Sequence, residues 1–210
     1  MSQTRNALRR TAALLFAVFA LSLATFAQEQ QQQESFPQIK IKNFGRMDER
    51  FFRGAEPKKA ADFAALRALG IRTVLDLQSE PELAERGMVE AAGMRYVNIP
   101  MVVKKYPTEE AVAAFLKAVD DPDTGKFFVH CAGGRHRTGA MGAVYRFTKY
   151  GWDYEQVYRE MKQFDFYTSW GHGDFKKFVE NYWQRVQSGE IHVSAAPAPH
   201  HAAPAPQHQK

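Results

Sequence analysis

One cysteine, Cys131, stands among 210 residues. A single thiol excludes an internal disulfide, so the chain folds without one, and its thiol is either inert or used. Net charge is scarce too. The 28 Lys and Arg against 23 Asp and Glu leave +5, and part of the isoelectric point near 9.3 belongs to Arg5, Arg9 and Arg10. These three arginines precede an uncharged apolar run, Thr11 to Ala24, and then the small-x-small triplet Thr25-Phe26-Ala27. The pattern is that of a secretory signal peptide over residues 1–27. Its apolar run is shorter than the roughly 20 residues of a spanning helix. Cleavage takes away three arginines and no acid, so Lys+Arg falls from 28 to 25 against 23 and the net charge from +5 to +2. A nearly neutral mature chain makes no electrostatic case for nucleic acid. The expectation is an exported protein, periplasmic or secreted, with no stable membrane span after cleavage.

No internal repeat is present, and low complexity is confined to the ends. Residues 28–35 form a polar, glutamine-rich spacer. Residues 191–210 form a tail of Ala, Pro and His expected to be extended. His192, His200, His201 and His208 show no recurring ligand spacing there, so the tail reads as a spacer and not as a metal site. Between them, residues 36–190 are the size of one domain. Strands are predicted at Arg50–Gly54, Ile71–Gln78, Met94–Pro100 and Lys126–His130. Helices are predicted from Pro57 to Gly70, Pro81 to Gly93, Thr108 through Val119, Thr138 to Tyr150, Tyr154 to Gln163 and Gly173 to Gln187. The alternation is that of an α/β domain with a helical C-terminal half.

The thiol lies in His130-Cys131-Ala132-Gly133-Gly134-Arg135-His136-Arg137-Thr138-Gly139, where a buried strand gives way to a helix. A glycine-rich turn ahead of a helix N-terminus presents unpaired N–H groups to an anion. Ala132, Gly133, Gly134, Arg135 and His136 supply that cradle, and the Arg137 guanidinium matches two phosphate oxygens. The same positive field lowers a thiol pKa, and a thiolate under a bound phosphate is a nucleophile. Cys131 is therefore the candidate nucleophile, Arg137 the transition-state clamp and Thr138 the hydroxyl that steadies the sulfur as a leaving group. His130 is read as orienting the loop through its backbone. A Walker loop is excluded, because no Gly-Lys-Ser/Thr ending follows.

Cys131, five residues, then Arg137-Thr138-Gly139 resembles the CX5R(S/T)G signature of the cysteine-dependent protein tyrosine and dual-specificity phosphatases. The likeness extends over residues 44–185, through FFRGAEP, GIRTVLDLQSE, YVNIP and YRFTKYGWDYEQVYREM, and is greatest to the atypical plant and fungal branch. It implies a single domain with a central sheet of four to five mostly parallel strands flanked by helices. It implies no metal and no organic cofactor, and a phosphorylated protein or an inositol phosphate as substrate. The reaction it implies is hydrolysis of a phosphoric monoester through a phosphocysteine.

One family element is absent. The loop expected to carry a general-acid aspartate is Pro100 to Pro107, PMVVKKYP, and it has no carboxylate. Asp120, Asp121 and Asp123 precede the Cys131 strand, and at about 3.3 Å per residue they lie roughly 15 Å or more from the sulfur. Glu109 and Glu110 follow the correct loop at a helix start, where acids also suit the helix N-terminus, and Glu109 is the candidate general acid. Asp165 and Asp174, beside the loop TSWGHG, are alternatives, and Asp76 reads as structural. Lys104 and Lys105 are read as flanking the site or as a surface pair, and Tyr167 and Trp170 as a substrate wall or as core. A phosphoanhydride substrate, or a phosphate-binding module with little turnover, would need no strong acid. Arsenate reduction calls for further cysteines, and there are none.

Overall fold

The computed structural model describes residues 36–193. The predicted signal peptide, the spacer and most of the tail, with His200, His201 and His208, lie outside the described residues. Five strands, β1 (Gly45–Arg46), β2 (Phe51–Ala55), β3 (Thr73–Gln78), β4 (Arg95–Met101) and β5 (Phe127–Cys131), form one sheet in the order β1-β2-β5-β3-β4. Only β1 is antiparallel to its neighbour; the pairs β2–β5, β5–β3 and β3–β4 are parallel. Six helices cover the sheet: α1 (Ala60–Ala68), α2 (Leu83–Ala91), α3 (Glu109–Asp120), α4 (His136–Tyr145), α5 (Tyr154–Gln163) and α6 (Gly173–Gln187). This is the α/β architecture expected, with mostly parallel strands and a helical C-terminal half.

A strand between two layers of helix is apolar on both faces, and β2, β3 and β5 are buried at every residue. Alternation along β5 sorts its side chains. Phe127, Val129 and Cys131 join the core with Phe115 of α3, Met141 of α4 and Phe175 of α6. Phe128 faces the other core, with Phe63 and Leu66 of α1 and Val89 of α2. Period 2 thus puts Cys131 and its neighbour His130 on opposite faces of the sheet.

Element boundaries follow local chemistry. Thr108 Oγ1 accepts from Ala111 N at 3.2 Å and starts α3 where expected. Asp153 and Gln156 close a capping box on α5. Helix α1 begins at Ala60 rather than Pro57, because Asp62 takes the amides of Lys58 and Lys59 at 3.0 and 3.1 Å. Strand β4 runs through Pro100 to Met101, since it is an edge strand with a register shift opposite Asp76 to Gln78, and a proline fits at an edge or bulge. The predicted helix 138–150 starts two residues earlier and ends as a π-helical turn at Arg146–Tyr150. Strand β1, two residues long, had no signal in the sequence.

Candidate active site

The C-terminal ends of β2, β5 and β3 place the loop. Cys131, the last residue of β5, pairs with Ala55 of β2 and is 3% exposed. The chain then turns at Gly134, whose φ is +65° and whose N–H returns to Cys131 O at 3.3 Å. A Cβ at Gly134 would lie 2.4 Å from Gly54 C and 2.5 Å from Ala55 N. Only glycine fits this close approach to β2.

Two side chains take the loop's carbonyls from outside. Asn43 Nδ2 donates to Gly133 O at 2.8 Å, and Arg53 Nη2 donates to Gly134 O at 2.7 Å. In a trans peptide the N–H points opposite to its C=O. Fixing Gly134 O on Arg53 therefore turns the Arg135 N–H toward the pocket. Arg53 is 1% exposed, and its guanidinium lies 4.0 Å from the centroid of Phe164. Burial pulls its pKa down to about 10, against the support of Glu160 and the Cys131 sulfur, so it stays charged at neutral pH. The Phe-Arg-Gly stretch 52–54 had been part of a likeness in the sequence; its arginine is a strut of the loop.

Arg137, on the first turn of α4, is also buried. Its Nη1 reaches Leu77 O at 3.4 Å and Met101 O at 3.3 Å, which fastens the guanidinium to the ends of β3 and β4. Burial raises the Cys131 pKa, but the Arg137 charge, the Thr138 hydroxyl and amide and the Gly133 amide outweigh it and leave the thiol below its ordinary value. Thr138 Oγ1 is buried with no hydrogen-bond partner among the described residues, and its hydroxyl is one of the groups that lower the Cys131 pKa.

A pocket of about 170 Å³ opens over the sulfur. It is lined by Cys131, Ala132, Gly133, Arg135, His136 and Arg137 of the loop and α4, by Tyr167, His172 and Phe175 of the segment leading into α6, and by Val103. Among the described residues no carboxylate lines it. The rim comes from two loops, after β4 and before α6. Lys104, Asp165 and Trp170, three of the four described non-glycine residues at positive φ, lie there. Left-handed non-glycine residues collect where a loop's shape matters.

The structure corrects several expectations. Glu109 does not line the pocket; it is 67% exposed and paired with Arg185 at 2.5 Å. Asp165 sits nearer, 3.6 Å from Arg135 Nη2 and half-exposed, and Asp174 faces Lys177. Asp120 and Asp121 pair with Lys149 and Arg95, remote from the pocket. Trp170 is 82% exposed and not core, whereas Tyr167 is a wall. Lys104 packs against Gly171 at the rim; nothing comparable engages Lys105, and His192 is exposed.

His130 does not act through the loop backbone. Its ring lies under the sheet, with Nε2 2.8 Å from Glu85 Oε1 in an ion-pair contact that misses hydrogen-bond direction, and Nδ1 3.8 Å from Asp76 Oδ1. Asp76 in turn accepts from Tyr96 Oη at 2.8 Å and Gln78 N at 2.9 Å. Burial opposes the imidazolium, but Glu85, Asp76 and the Cys131 sulfur prevail and raise the His130 pKa. Glu85 and Asp76 thus favour the charged form of a ring buried on the face of the sheet opposite the nucleophile. Alternation along β5 contained this signal, but the partner Glu85, a fully buried acid on α2, could not be read locally.

His172 was missed altogether. It precedes α6, is buried, and stacks on His136 with centroids 3.6 Å apart and planes at 7°. A lone histidine in an aromatic and glycine-rich loop carries no spacing that would single it out.

The fold is similar to that of the Siw14 catalytic core, with a TM-score of 0.59 and 20% identity over 74% of this chain and 96% of that one; Siw14 is a PP-IP phosphatase of S. cerevisiae. It is also similar to P. aeruginosa TpbA, with a TM-score of 0.59 and 26% identity over 71% of this chain and 88% of that one. By sequence the chain is 25% identical over 128 residues to the probable tyrosine-protein phosphatase DG1060 of Dictyostelium discoideum, covering 58% of this chain and 75% of that protein. The profile of the family described as DSP-PTPase phosphatase fused to NAD+ kinase matches residues 21–205. With a cysteine and an arginine held over an anion-sized pocket at the end of a parallel sheet, the chain belongs to that family of cysteine-dependent dual-specificity phosphatases.

Proposed function

We propose that the protein hydrolyses phosphoric monoesters through a phosphocysteine on Cys131. The observation that carries this is the sulfur itself: buried at the end of β5, with its pKa lowered by Arg137 and the loop against the pull of burial. In the first step the Cys131 thiolate attacks phosphorus and the ester oxygen leaves. The loop amides and Arg137 hold the three equatorial oxygens as charge builds on them. In the second, water attacks phosphorus and the sulfur leaves, steadied by the Thr138 hydroxyl. His130 lies on the opposite face of the sheet from the nucleophile, where Glu85 and Asp76 favour its charged form.

The test is turnover of p-nitrophenyl phosphate by the wild type beside Cys131→Ser, with mass spectrometry of acid-quenched enzyme. Turnover lost in the variant, and one phosphate added on the Cys131 peptide of the wild type, are expected. Turnover retained by Cys131→Ser would end the proposal.

A second reading, an inositol phosphate or pyrophosphate as substrate, draws on the rim. Arg135 lines the pocket and Lys104 lies close enough to His172 for its charge to act there, so a polyphosphorylated ring would meet both charges. Export to the periplasm or medium is proposed from residues 1–27 and is tested by N-terminal sequencing of the mature protein.

A further inference from the structure

Among the described residues the pocket has no carboxylate, yet a phenolic or alcoholic leaving group needs a proton. Two stacked imidazoles line the pocket beside the nucleophile's loop. Their roles differ. His136 Nε2 contacts Tyr167 O at 2.9 Å; a carbonyl can only accept, so this nitrogen carries the ring's proton and His136 is a neutral donor held in place. Burial, the facing His172 and the neighbouring Arg135 and Arg137 push its pKa down to about 4. His172 has no such tie. Its Nδ1 is buried with no hydrogen-bond partner among the described residues, although the ring is 8% exposed and lines the pocket.

We propose that His172 is the proton donor of this site, charged when a phosphate dianion occupies the loop and neutral when the loop is empty. The proposal rests on the phosphocysteine reading above. The groups facing the ring are Lys104 from the loop after β4, Arg135, His136 and Arg137 from the phosphate loop and α4, and Tyr167 from its own loop. Burial and the charges of Lys104, Arg135 and Arg137 disfavour an imidazolium in the empty pocket and hold its pKa below the ordinary value. A bound dianion neutralises Arg135 and Arg137 and reverses the field, so the ring takes a proton from solvent as substrate binds. Stacking allows one charge and not two, and His136 is the ring that stays neutral.

The balance is simple. The Cys131 thiolate forms the S–P bond, the P–O bond breaks, and the proton on His172 passes to the leaving oxygen, giving the alcohol, a neutral imidazole and phosphocysteine. Water then gives a proton back to His172 as its oxygen attacks phosphorus. The S–P bond breaks, and hydrogen phosphate, thiolate and imidazolium remain.

The experiment compares kcat/KM, which reports phosphocysteine formation alone, for phenyl phosphate and p-nitrophenyl phosphate with the wild type, His172→Asn, Asp165→Asn and Cys131→Ser. General-acid loss costs about 10²–10⁴-fold where the proton is needed. His172→Asn should therefore lose on the order of 100-fold or more on phenyl phosphate, and much less on the weakly basic p-nitrophenolate leaving group. In parallel, the His172 ring is titrated by NMR in Cys131→Ser with and without inorganic phosphate, and its pKa should rise on binding. Equal losses on the two substrates, a leaving-group effect in Asp165→Asn instead, or a His172 pKa that ignores phosphate would each overturn the proposal while leaving the nucleophile standing. Activity in Cys131→Ser would instead remove the reading beneath it.

Discussion

Gly134→Ala should damage the protein far more than Gly133→Ala, one residue away. At Gly134 the backbone is left-handed, with φ +65°, and a non-glycine residue there costs roughly 1–2 kcal/mol. The new methyl would also lie 2.4 Å from Gly54 C and 2.5 Å from Gly54 O and Ala55 N. These are backbone atoms of β2 and cannot swing aside. Overpacking of that kind costs about 1–3 kcal/mol, so the total is about 2–5 kcal/mol. At Gly133 the nearest atoms are Arg135 Cγ and Cδ at 3.9 Å, and alanine there should stay within about 0.5 kcal/mol. The displacement also falls on the residues that hold the nucleophile, because Gly54 and Ala55 pair with His130 and Cys131. Urea unfolding at equilibrium gives the two stabilities, and vanadate binding reports the loop. Gly134→Ala should lower the midpoint and weaken vanadate; Gly133→Ala should do neither to a comparable degree. Equal midpoints for the two variants would refute the claim that the loop is wedged against β2.

Arg53→Met should leave Gly134 O unpaired, a cost of about 1–3 kcal/mol, and move the midpoint of iodoacetamide alkylation of Cys131 to higher pH by removing a positive neighbour. The His130–Glu85 pair gives a signed pH dependence. The folded pKa of His130 is raised, so the stabilisation is complete below its unfolded value of about 6.5 and is lost as pH rises through the folded value. Urea midpoints of the wild type and Glu85→Gln should therefore converge on going from pH 6 upward, by at most about 1.4 kcal/mol per pH unit; a constant gap would show that His130 is not the titrating group. Glu109→Gln should leave kcat/KM for p-nitrophenyl phosphate within about twofold and cost less than about 1 kcal/mol, as for other surface pairs; a large loss of rate would return Glu109 to the site.

What could be read in advance divides by range of interaction. Strand β5, the glycine turn and Arg137 are contiguous, and their chemistry follows from spacing within ten residues. The caps at Thr108 and Asp153 are local in the same sense. The supports of the loop are not. Asn43 and Arg53 reach it across 90 and 81 residues, and neither side chain has a sequence pattern that announces a carbonyl partner. Glu109 was chosen because it follows the right loop, but a helix N-terminus on the surface offered it Arg185 instead. His172 could not be found because its meaning lies in a ring 36 residues earlier. His130 was expected to bond the loop backbone, but period-2 alternation along β5 turns its ring to the face opposite Cys131, toward Glu85 and Asp76.

Helix α4 is buried at every residue from His136 to Tyr145. A helix with no water-facing side cannot tilt or slide without opening the core around it, so its local unfolding approaches global unfolding in cost. The anion cradle rests on that helix and on the end of β5. The loop before α6 leans on that helix through the His136 Nε2–Tyr167 O contact and the His136–His172 stack, whereas Trp170 and Val103 face solvent. Solvent-facing rim positions such as Val103 and Trp170 can therefore be exchanged while the cradle beneath them keeps its shape.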